Sequence, residues 1–380
     1  MSTIAIVGAG IGGLTAAALL QRRGYDVQVY EQAKKFARVG AGIQQSANAV
    51  RVLREIGLEQ TLRDIAFRPK SWNNREWDTG SVKYELPLGD AFEARYGAPY
   101  LLLHRGDLHS ALFNAVDPAR IHLDMPLAGL DAHEDCVLLS FANGQTRQVD
   151  AVIGADGVHS LVREWMLGPD EPRFTGRVAY RTTFKAELLN GVQIDDCTKW
   201  WGPDRHIVIY YITPQRDAVY FVTSLPEPEW RNESWSARGD LEQLRAAFTG
   251  FHPQVQSVLQ ACPEVYKWAL YERDPLQRWS QGRAVLMGDA CHPMVPYMAQ
   301  GAATAIEDAA VLSRCLDDTA NIQDAFQRFE ATRKERTSKI QLTSHHNQWM
   351  SKRTDPDWVY GYDAWVTPLA PVAKSAGMHV

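Results

Sequence analysis

The stretch that decides the fold is Thr3–Glu31, which reads TIAIVGAGIGGLTAAALLQRRGYDVQVYE. Thr3–Val7 is an apolar run typical of a buried strand, and Gly8–Gly13 is a glycine-rich turn. The Ala/Leu-rich stretch Leu14–Arg23 predicts a helix that ends at the following glycine. Asp26–Tyr30 alternates between polar and apolar residues, as a second strand does. The order predicts a β-α-β unit whose glycines lie between strand and helix.

This spacing is the fingerprint of a dinucleotide-binding turn. Gly8 allows the tight turn, Gly10 lets the backbone approach a pyrophosphate, and Gly13 lets the helix pack against the strand. The start of the helix supplies free N–H groups and a positive dipole end for the phosphates. Glu31, at the end of the second strand, is placed to bind ribose hydroxyls. The motif does not separate FAD from NAD. Since the chain has no second such fingerprint, we expect a single built-in dinucleotide site.

Composition narrows the class of protein. The 380 residues carry a net charge of −5, with 45% hydrophobic and 22% charged residues, so neither nucleic acid nor an anionic membrane is an expected partner. The five cysteines include no C-x-x-C pair, which disfavours a disulfide framework or a metal site and favours a reducing cytoplasm. We expect no transmembrane helix and no signal peptide, since apolar runs of the required length are absent.

The remaining pattern predicts two interleaved domains. Two aromatic-rich segments with strand-like patterns interrupt the α/β pattern. Long helices are predicted at Ala302–Leu316 and Ile322–Lys352. The expected fold is α/β: a Rossmann-type nucleotide domain interleaved with a β-sheet-rich substrate domain, followed by C-terminal helices. The nucleotide domain is expected at 1–70, 99–175 and 270–380, and the substrate domain at 71–98 and 176–269.

Two further motifs indicate which dinucleotide binds. Val152–Arg163 reads VIGADGVHSLVR, and Gly282–Pro293 reads GRAVLMGDACHP. With the glycine fingerprint, they resemble the single-component FAD-dependent aromatic hydroxylases, the class of the salicylate and p-hydroxybenzoate hydroxylases. The resemblance implies bound FAD, NADH as a transient co-substrate, O2, and hydroxylation of a small aromatic acid. It leaves open whether the protein is a monomer or a homodimer.

The resemblance also implies roles for single residues. Asp289 is expected to bind ribitol or ribose hydroxyls, and Asp156 with Gly157 is expected where FAD and the nicotinamide cofactor are handled. Arg105 matches an arginine that contacts FAD, and Arg38 matches the loop beside the flavin. A structural role remains the alternative for each: an acid at a turn for the aspartates, and an exposed ion pair for Arg38.

The segment after Pro293 is predicted to face the flavin. Gln300, Gly301 and Ala302 open a helix whose positive end would favour negative charge on the flavin pyrimidine. Pro293 would then line the reaction face, or alternatively only stiffen the loop.

The predicted substrate domain carries a narrower resemblance. Cys197–Tyr211 (CTKWWGPDRHIVIYY), Gly250–Gln256 and Asp355–Asp363 are similar to the branch of this family that hydroxylates 6-hydroxynicotinate. In that branch the attacked carbon bears a carboxylate that leaves as CO2, which implies formation of 2,5-dihydroxypyridine. The alternatives are a salicylate or hydroxybenzoate hydroxylase and, from another class, a non-oxygenating reductase or a redox-sensing flavoprotein.

Four residues are predicted at the substrate. His206 and Tyr210, four apart on a strand, point to the same face. We expect His206 as proton acceptor or hydrogen-bond partner, and Tyr210 as a carboxylate or hydroxyl contact. By resemblance Cys197 is a third contact, or otherwise a small buried hydrophobe. Gln44 stands where the branch carries a histidine; it cannot titrate, but its amide can hold a ring nitrogen, hydroxyl or carboxylate. The exact ring therefore stays open.

Overall fold

The computed structural model describes residues 2–36, 41–232 and 237–372. The strands are β1 (Thr3–Val7), β2 (Asp26–Tyr30), β3 (Gly42–Gln45), β4 (Ser71–Glu76), β5 (Val82–Pro87), β6 (Leu101–His104), β7 (Ile121–His122), β8 (Leu127–Ala132), β9 (Val137–Phe141), β10 (Thr146–Val149), β11 (Ala151–Gly154), β12 (Arg173–Lys185), β13 (Cys197–Trp201), β14 (His206–Tyr211), β15 (Ala218–Pro226), β16 (Tyr266–Glu272), β17 (Ser280–Gln281) and β18 (Ala284–Leu286). The α-helices are α1 (Ile11–Arg22), α2 (Ala47–Glu55), α3 (Glu59–Ile65), α4 (Asp90–Tyr96), α5 (Arg105–Asn114), α6 (Leu161–Leu167), α7 (Leu241–Ala247), α8 (Pro253–Ala261), α9 (Gly301–Asp317), α10 (Ile322–His345) and α11 (Asp357–Tyr360).

A six-stranded sheet in the order β17-β18-β11-β1-β2-β7 holds the glycine turn at one strand end. All its neighbours are parallel except the β17–β18 pair. Gly8 has φ +103°, and a Cβ there would lie 2.3 Å from the Ala155 carbonyl oxygen, so the turn requires glycine. The helix after it begins at Ile11 rather than at the predicted Leu14. Gly13 thus lies in the first helical turn, where a Cβ would be 2.1 Å from the Gly8 oxygen.

A seven-stranded sheet, ordered β16-β12-β15-β14-β13-β4-β5, is antiparallel apart from the β13–β4 pair. Its register aligns side chains of one face in rows across the strands, because alternate residues share a face. The first row is Cys197, Tyr210 and Tyr220; the second is Lys199, Val208, Val222 and Arg181; the third is Trp201, His206 and Ser224. The members of these rows that line the cavity described below, and form its floor, are Tyr210, Tyr220, Lys199, Val208, Val222, Arg181 and His206.

Two helices, α4 and α10, differ from the sequence prediction. Segment 71–98, predicted as part of the β-sheet-rich domain, also contains α4, whose ends are glycines with positive φ, Gly89 and Gly97. Helix α10 ends at His345 and does not reach Lys352, because Asn347 adopts φ +46° and turns the chain. The mixed α/β architecture with C-terminal helices is confirmed. In the described part of the chain, no helix is long and apolar enough to cross a bilayer.

Candidate active site

A cavity of about 390 Å³ lies between the glycine turn of the six-stranded sheet and the floor rows of the seven-stranded sheet. One part of its wall is rich in glycine and alanine, and the other part is rich in aromatic and basic side chains. The first part includes Gly10–Gly13, Ala41, Gly42, Arg105, Ala155, Gly157, Met287–Asp289, Ala299, Gly301, Ala302 and Ala305; the second includes Gln44, Trp72, Arg181, Lys199, His206, Val208, Tyr210, Tyr220, Val222, Thr223, Trp268, Met294, Pro296 and Tyr297.

The glycine turn leaves room for a ligand. Apart from its chain neighbours, no atom of the described residues lies within 4 Å of where a Cβ on Gly10 would be, although Gly8 and Gly13 are tightly packed. Glu31 accepts hydrogen bonds from the backbone N–H groups of Ala9 and Ala33, both at 2.8 Å. Its carboxylate therefore braces the turn that a dinucleotide would approach. His109, which the sequence did not single out, contacts the Ala9 carbonyl through Nε2 at 2.8 Å.

The structure separates the predicted pair Asp156 and Gly157. Gly157 has φ +80° and borders the cavity. Asp156 points to the start of α6, where its Oδ2 accepts from the Val162 N–H at 3.2 Å. Burial raises the pKa of Asp156, and hydrogen bonds from Ser160 and the backbone oppose that shift. In this arrangement Asp156 caps a helix beside the site.

Arg105 and Asp289 both lie in the cavity wall, at the start of α5 and in the Gly288–Asp289 turn. Burial lowers the pKa of Arg105, and Asp289 partly offsets this. The Asp289 carboxyl is open to the cavity but enclosed by protein, and this desolvation raises its pKa against the effect of His292 and Arg105. The pair offers one cation and one acceptor to a ligand.

The start of α9 faces the cavity through Gly301 and Ala302 but not through Gln300. The Gln300 amide is buried, donating to Ser46 Oγ and accepting from Asn48 Nδ2, both at 3.0 Å. Pro293 is likewise not part of the wall; its carbonyl accepts from Gln341 Nε2 at 2.9 Å. The next residues of that loop, Met294, Pro296 and Tyr297, line the cavity instead. Arg38 lies outside the described residues.

These features fit FAD. The open position at Gly10, the helix starts of α1 and α9, the Arg105 guanidinium and the Asp289 carboxyl suit phosphates, a flavin ring and ribitol hydroxyls in one elongated site. Among the described residues, no cluster of three metal-ligating side chains was found.

His206 lies at one end of the floor. Its Nδ1 is 3.3 Å from Asn347 Nδ2, and the rings of Tyr297 and Trp201 have centroids 5.3 and 5.7 Å away. Burial holds the pKa of His206 well below its usual value, and the nearby cations Lys199 and Arg177 lower it further. The imidazole is therefore neutral at ordinary pH.

Tyr210 and Gln44 meet at the other end. Gln44 Oε1 accepts from Tyr100 Oη at 2.6 Å. Burial raises the pKa of Tyr210 well above its usual value, and a hydrogen bond with Gln44 opposes this shift. A Cβ on Gly42 would lie 2.6 Å from the Tyr220 ring and 2.8 Å from Tyr210 Oη. The glycine in β3 therefore lets both tyrosines pack against that strand.

Cys197 is fully buried beside Tyr210 in the first floor row and is not part of the cavity wall. Burial raises the pKa of its thiol well above the usual value, so it is not a thiolate.

Sequence reasoning missed two basic residues in the wall, Lys199 and Arg181. Arg181 lies over the Trp268 ring at 4.1 Å, and burial lowers its pKa to about 10. The signal for Lys199 was its even spacing from Cys197 on the same strand, which puts both on one face. Arg181 could be found only from the pairing of β12 with β15.

Comparison with known proteins identifies the family. Residues 1–343 match the family model described as FAD binding domain. The chain is 46% identical to a 6-hydroxynicotinate 3-monooxygenase of Bordetella bronchiseptica over 378 residues, 98% of each chain. It is 37% identical to 3-amino-4-hydroxybenzoate 2-monooxygenase PtmB3 of Streptomyces platensis over 95% of this chain and 96% of that one.

A solved structure shares the fold. Klebsiella pneumoniae HpxO complexed with FAD and uric acid superposes with a TM-score of 0.82 at 25% identity, covering 94% of this chain and 90% of that one. Together with the FAD-compatible cavity, the full-length matches establish that this chain belongs to the FAD binding domain family and is an FAD-dependent aromatic-ring monooxygenase.

Proposed function

We propose that this monooxygenase converts 6-hydroxynicotinate into 2,5-dihydroxypyridine and CO2, with NADH as the electron donor. The observation that carries the proposal is the cavity floor, where His206 and Tyr210 lie on either side of the apolar Val208 on the cavity face of β14. The 46% identity to 6-hydroxynicotinate 3-monooxygenase supports it, because that similarity covers the strands that build the floor.

The proposed reaction consumes 6-hydroxynicotinate, NADH, O2 and two protons, and it yields 2,5-dihydroxypyridine, CO2, NAD⁺ and water. When bound, FAD supplies electron transfer from the nicotinamide and delivery of one oxygen atom of O2 to the ring. The new C–O bond forms at C3, and the C3–carboxylate bond breaks with its electron pair returning to the ring. The protein must orient the ring and exclude water.

The spacing of the floor matches a ring with para substituents. In 6-hydroxynicotinate the C6 oxygen and the C3 carboxylate lie across the ring from each other. His206 and Tyr210 are separated by Val208 on the same face of β14, about 13 Å between Cα atoms at the usual strand rise. A flat ring over Val208 and Val222 would place one substituent toward each end.

We propose that Gln44 and Tyr210 hold the C6 oxygen and the ring nitrogen. 2-Hydroxypyridines also exist as lactams, which present an N–H donor beside a carbonyl acceptor. A carboxamide offers the complementary acceptor and donor without titrating. Gln44 is 7% exposed and hydrogen bonded to Tyr100, so its amide is held in place at this end. The neutral Gln44 amide would thus bind the ring at the position where the branch that hydroxylates 6-hydroxynicotinate carries a histidine.

For His206 we propose the hydrogen-bonding role and not that of proton acceptor. Lys199 Nζ donates to Asn347 Oδ1 at 3.2 Å, so the amide presents its Nδ2 donor to His206 Nδ1. The proton of the neutral imidazole then lies on Nε2, which makes Nε2 a donor.

We also propose that the chain divides functionally as the sequence predicts, with segments 71–98 and 176–269 selecting the substrate.

The test is NADH and O2 consumption by the FAD-loaded protein with 6-hydroxynicotinate carrying ¹³C in the carboxylate, under ¹⁸O2. We expect stoichiometric ¹³CO2 and 2,5-dihydroxypyridine with one ¹⁸O atom. Hydrogen peroxide without product would reject this substrate and make salicylate and hydroxybenzoates the next candidates. NADH-driven reduction of the ring without ¹⁸O would reject oxygen insertion.

A further inference from the structure

Lys199 is buried at the end of the cavity where His206 lies. We infer that Lys199, held by Asn347, receives the substrate carboxylate and makes the enzyme prefer aromatic acids to their neutral analogues. The inference rests on the proposed function insofar as it takes the substrate to be an aromatic acid. It does not depend on which ring carries that acid.

The described residues around Lys199 supply no counter-ion. The residue is 1% exposed and borders the cavity. Its Nζ donates to Asn347 Oδ1 at 3.2 Å and lies 3.8 and 5.8 Å from the ring centroids of Trp201 and Tyr297. Among residues 2–36, 41–232 and 237–372, no carboxylate lies within ion-pair distance of this amine. A buried ammonium without an anion is costly, so the site favours an anion from outside.

A second buried lysine in the same sheet shows the contrast. Lys267 is 2% exposed, and its Nζ forms an ion pair with Glu227. Where the fold buries a lysine outside the cavity, it supplies the carboxylate itself. Burial lowers the pKa of Lys199 well below its usual value, and Arg177 lowers it further. An incoming carboxylate would favour the ammonium form again, as an opposite charge does.

Lys199 does not act alone, because Asn347 joins it to His206. The amide oxygen holds the amine and the amide N–H holds the imidazole Nδ1. This leaves the other Lys199 N–H groups and the His206 Nε2–H for a ligand at the same end. A carboxylate, with two oxygens and several acceptor positions, can accept from both of these donors.

Arg181 is the rival cation. It occupies the same floor row as Lys199, three strands away, about 14 Å at the usual strand spacing. Its guanidinium is stacked on Trp268, and Arg105 is close enough to lower its pKa. Because Arg105 also interacts with Asp289 in the glycine-rich wall, Arg181 borders the flavin side of the cavity.

The test compares acid and amide pairs by equilibrium dialysis against the FAD-loaded protein. For 6-hydroxynicotinate, we expect Lys199→Met to weaken binding by about 100-fold, the size seen when one partner of a buried charge pair is removed. Binding of 6-hydroxynicotinamide should change by less than about threefold, since it lacks the charge. Lys199→Arg should restore most of the preference for the acid, and the matched control Lys267→Met should keep it.

A second variant probes the same end without removing the lysine. Asn347→Asp places a carboxylate beside Lys199 Nζ, where it would compete with the substrate, and aspartate tolerates the positive φ of this position. We expect selective loss of acid binding. Far-ultraviolet circular dichroism and flavin content verify that each variant is folded.

Three results with the variants would overturn the inference. They are equal weakening of acid and amide in folded Lys199→Met, retention of the acid preference in that variant, or loss of the preference in Arg181→Met but not in Lys199→Met. If the wild type binds neither 6-hydroxynicotinate nor its amide, the same variants are tested with salicylate against salicylamide and 3-hydroxybenzoate against 3-hydroxybenzamide. An acid preference abolished by Lys199→Met in either pair rejects the proposed substrate but supports the anchor. No acid preference in any pair overturns it.

Discussion

Asp308 on α9 links the Gly288–Asp289 turn to Arg333 on α10, and its replacement by asparagine tests how this contact stabilises the fold. Its side chain is fully buried. Oδ2 accepts from the Gly288 N–H at 3.1 Å and contacts His292 Nε2 at 2.5 Å, and Oδ1 accepts from Arg333 Nε at 2.8 Å. The carboxylate thus fixes the turn that presents Asp289 to the cavity.

The magnitude follows from the charges left behind. Arg333 is also fully buried, and in Asp308→Asn it loses one of its two anionic partners but keeps the ion pair with Glu307 at 2.7 Å. His292, 1% exposed, loses its anionic partner. Breaking a buried pair by removing one partner costs about 3–5 kcal/mol. Because the asparagine still accepts one hydrogen bond, we expect the lower end of this range in unfolding free energy.

The pH dependence has a definite sign. Burial would raise the pKa of Asp308, but His292 and Arg333 outweigh it and lower the pKa to about 2. A depressed pKa stabilises the native state above the unfolded value of about 4 and loses that contribution as pH falls toward 2. The wild type should therefore lose stability between about pH 4 and pH 2 more steeply than Asp308→Asn.

The assay is urea unfolding followed by circular dichroism, with FAD affinity measured by flavin fluorescence. The matched control is Asp317→Asn on the same helix, because Asp317 is 42% exposed and its ion pair with Arg23 should contribute less than about 1 kcal/mol. If Asp308→Asn is as stable as this control and binds FAD like the wild type, the reasoning about the buried carboxylate is refuted.

Three further substitutions test other parts of the site. Gly42→Ala puts a methyl group 2.6 Å from the Tyr220 ring, so we expect about 1–3 kcal/mol of strain and weaker 6-hydroxynicotinate binding in a dialysis titration; unchanged affinity would contradict the packing of β3. Gly8→Ala, at φ +103°, should purify with little flavin, measured as the ratio of flavin to protein absorbance, and full loading would count against the turn geometry. Cys197→Ala should leave the pH profile of turnover unchanged, because burial keeps the thiol protonated; loss of an alkaline limb would show that it titrates.

The first 31 residues allowed the strongest prediction from sequence, and the structure explains why. Local rules suffice for Thr3–Val7, the glycine turn and Asp26–Tyr30, since the motif, the strands and the turn conformation are all encoded within a short stretch. The helix start was predicted too late because glycines score poorly as helix formers, although here Gly13 is required by close packing.

The partners of the predicted residues could not be predicted. Glu31, Asp156 and Gln300 lie beside the cavity or its walls, but their side chains bond to backbone N–H groups or to neighbouring polar side chains. A sequence motif indicates that a polar residue is near a site and does not show which way it points. Lys199 and Arg181 were missed because strand register decides which residues share a row, and register depends on pairing between distant segments.

The C-terminal helix shows how a distant element completes the substrate end. One face of α10 carries Arg333, Gln341 and Ser344, spaced so that they align along the helix. Gln341 and Ser344 donate to the carbonyls of Pro293 and Val295, in the loop that leads to the cavity wall. From sequence such a polar stripe is typical of a solvated face, yet these side chains are buried. Because the helix is fixed at these points, the turn after it brings Asn347 to Lys199. The end of the cavity at Lys199 and His206, where we propose that the carboxylate binds, therefore depends on a helix that contributes no residue to the cavity wall.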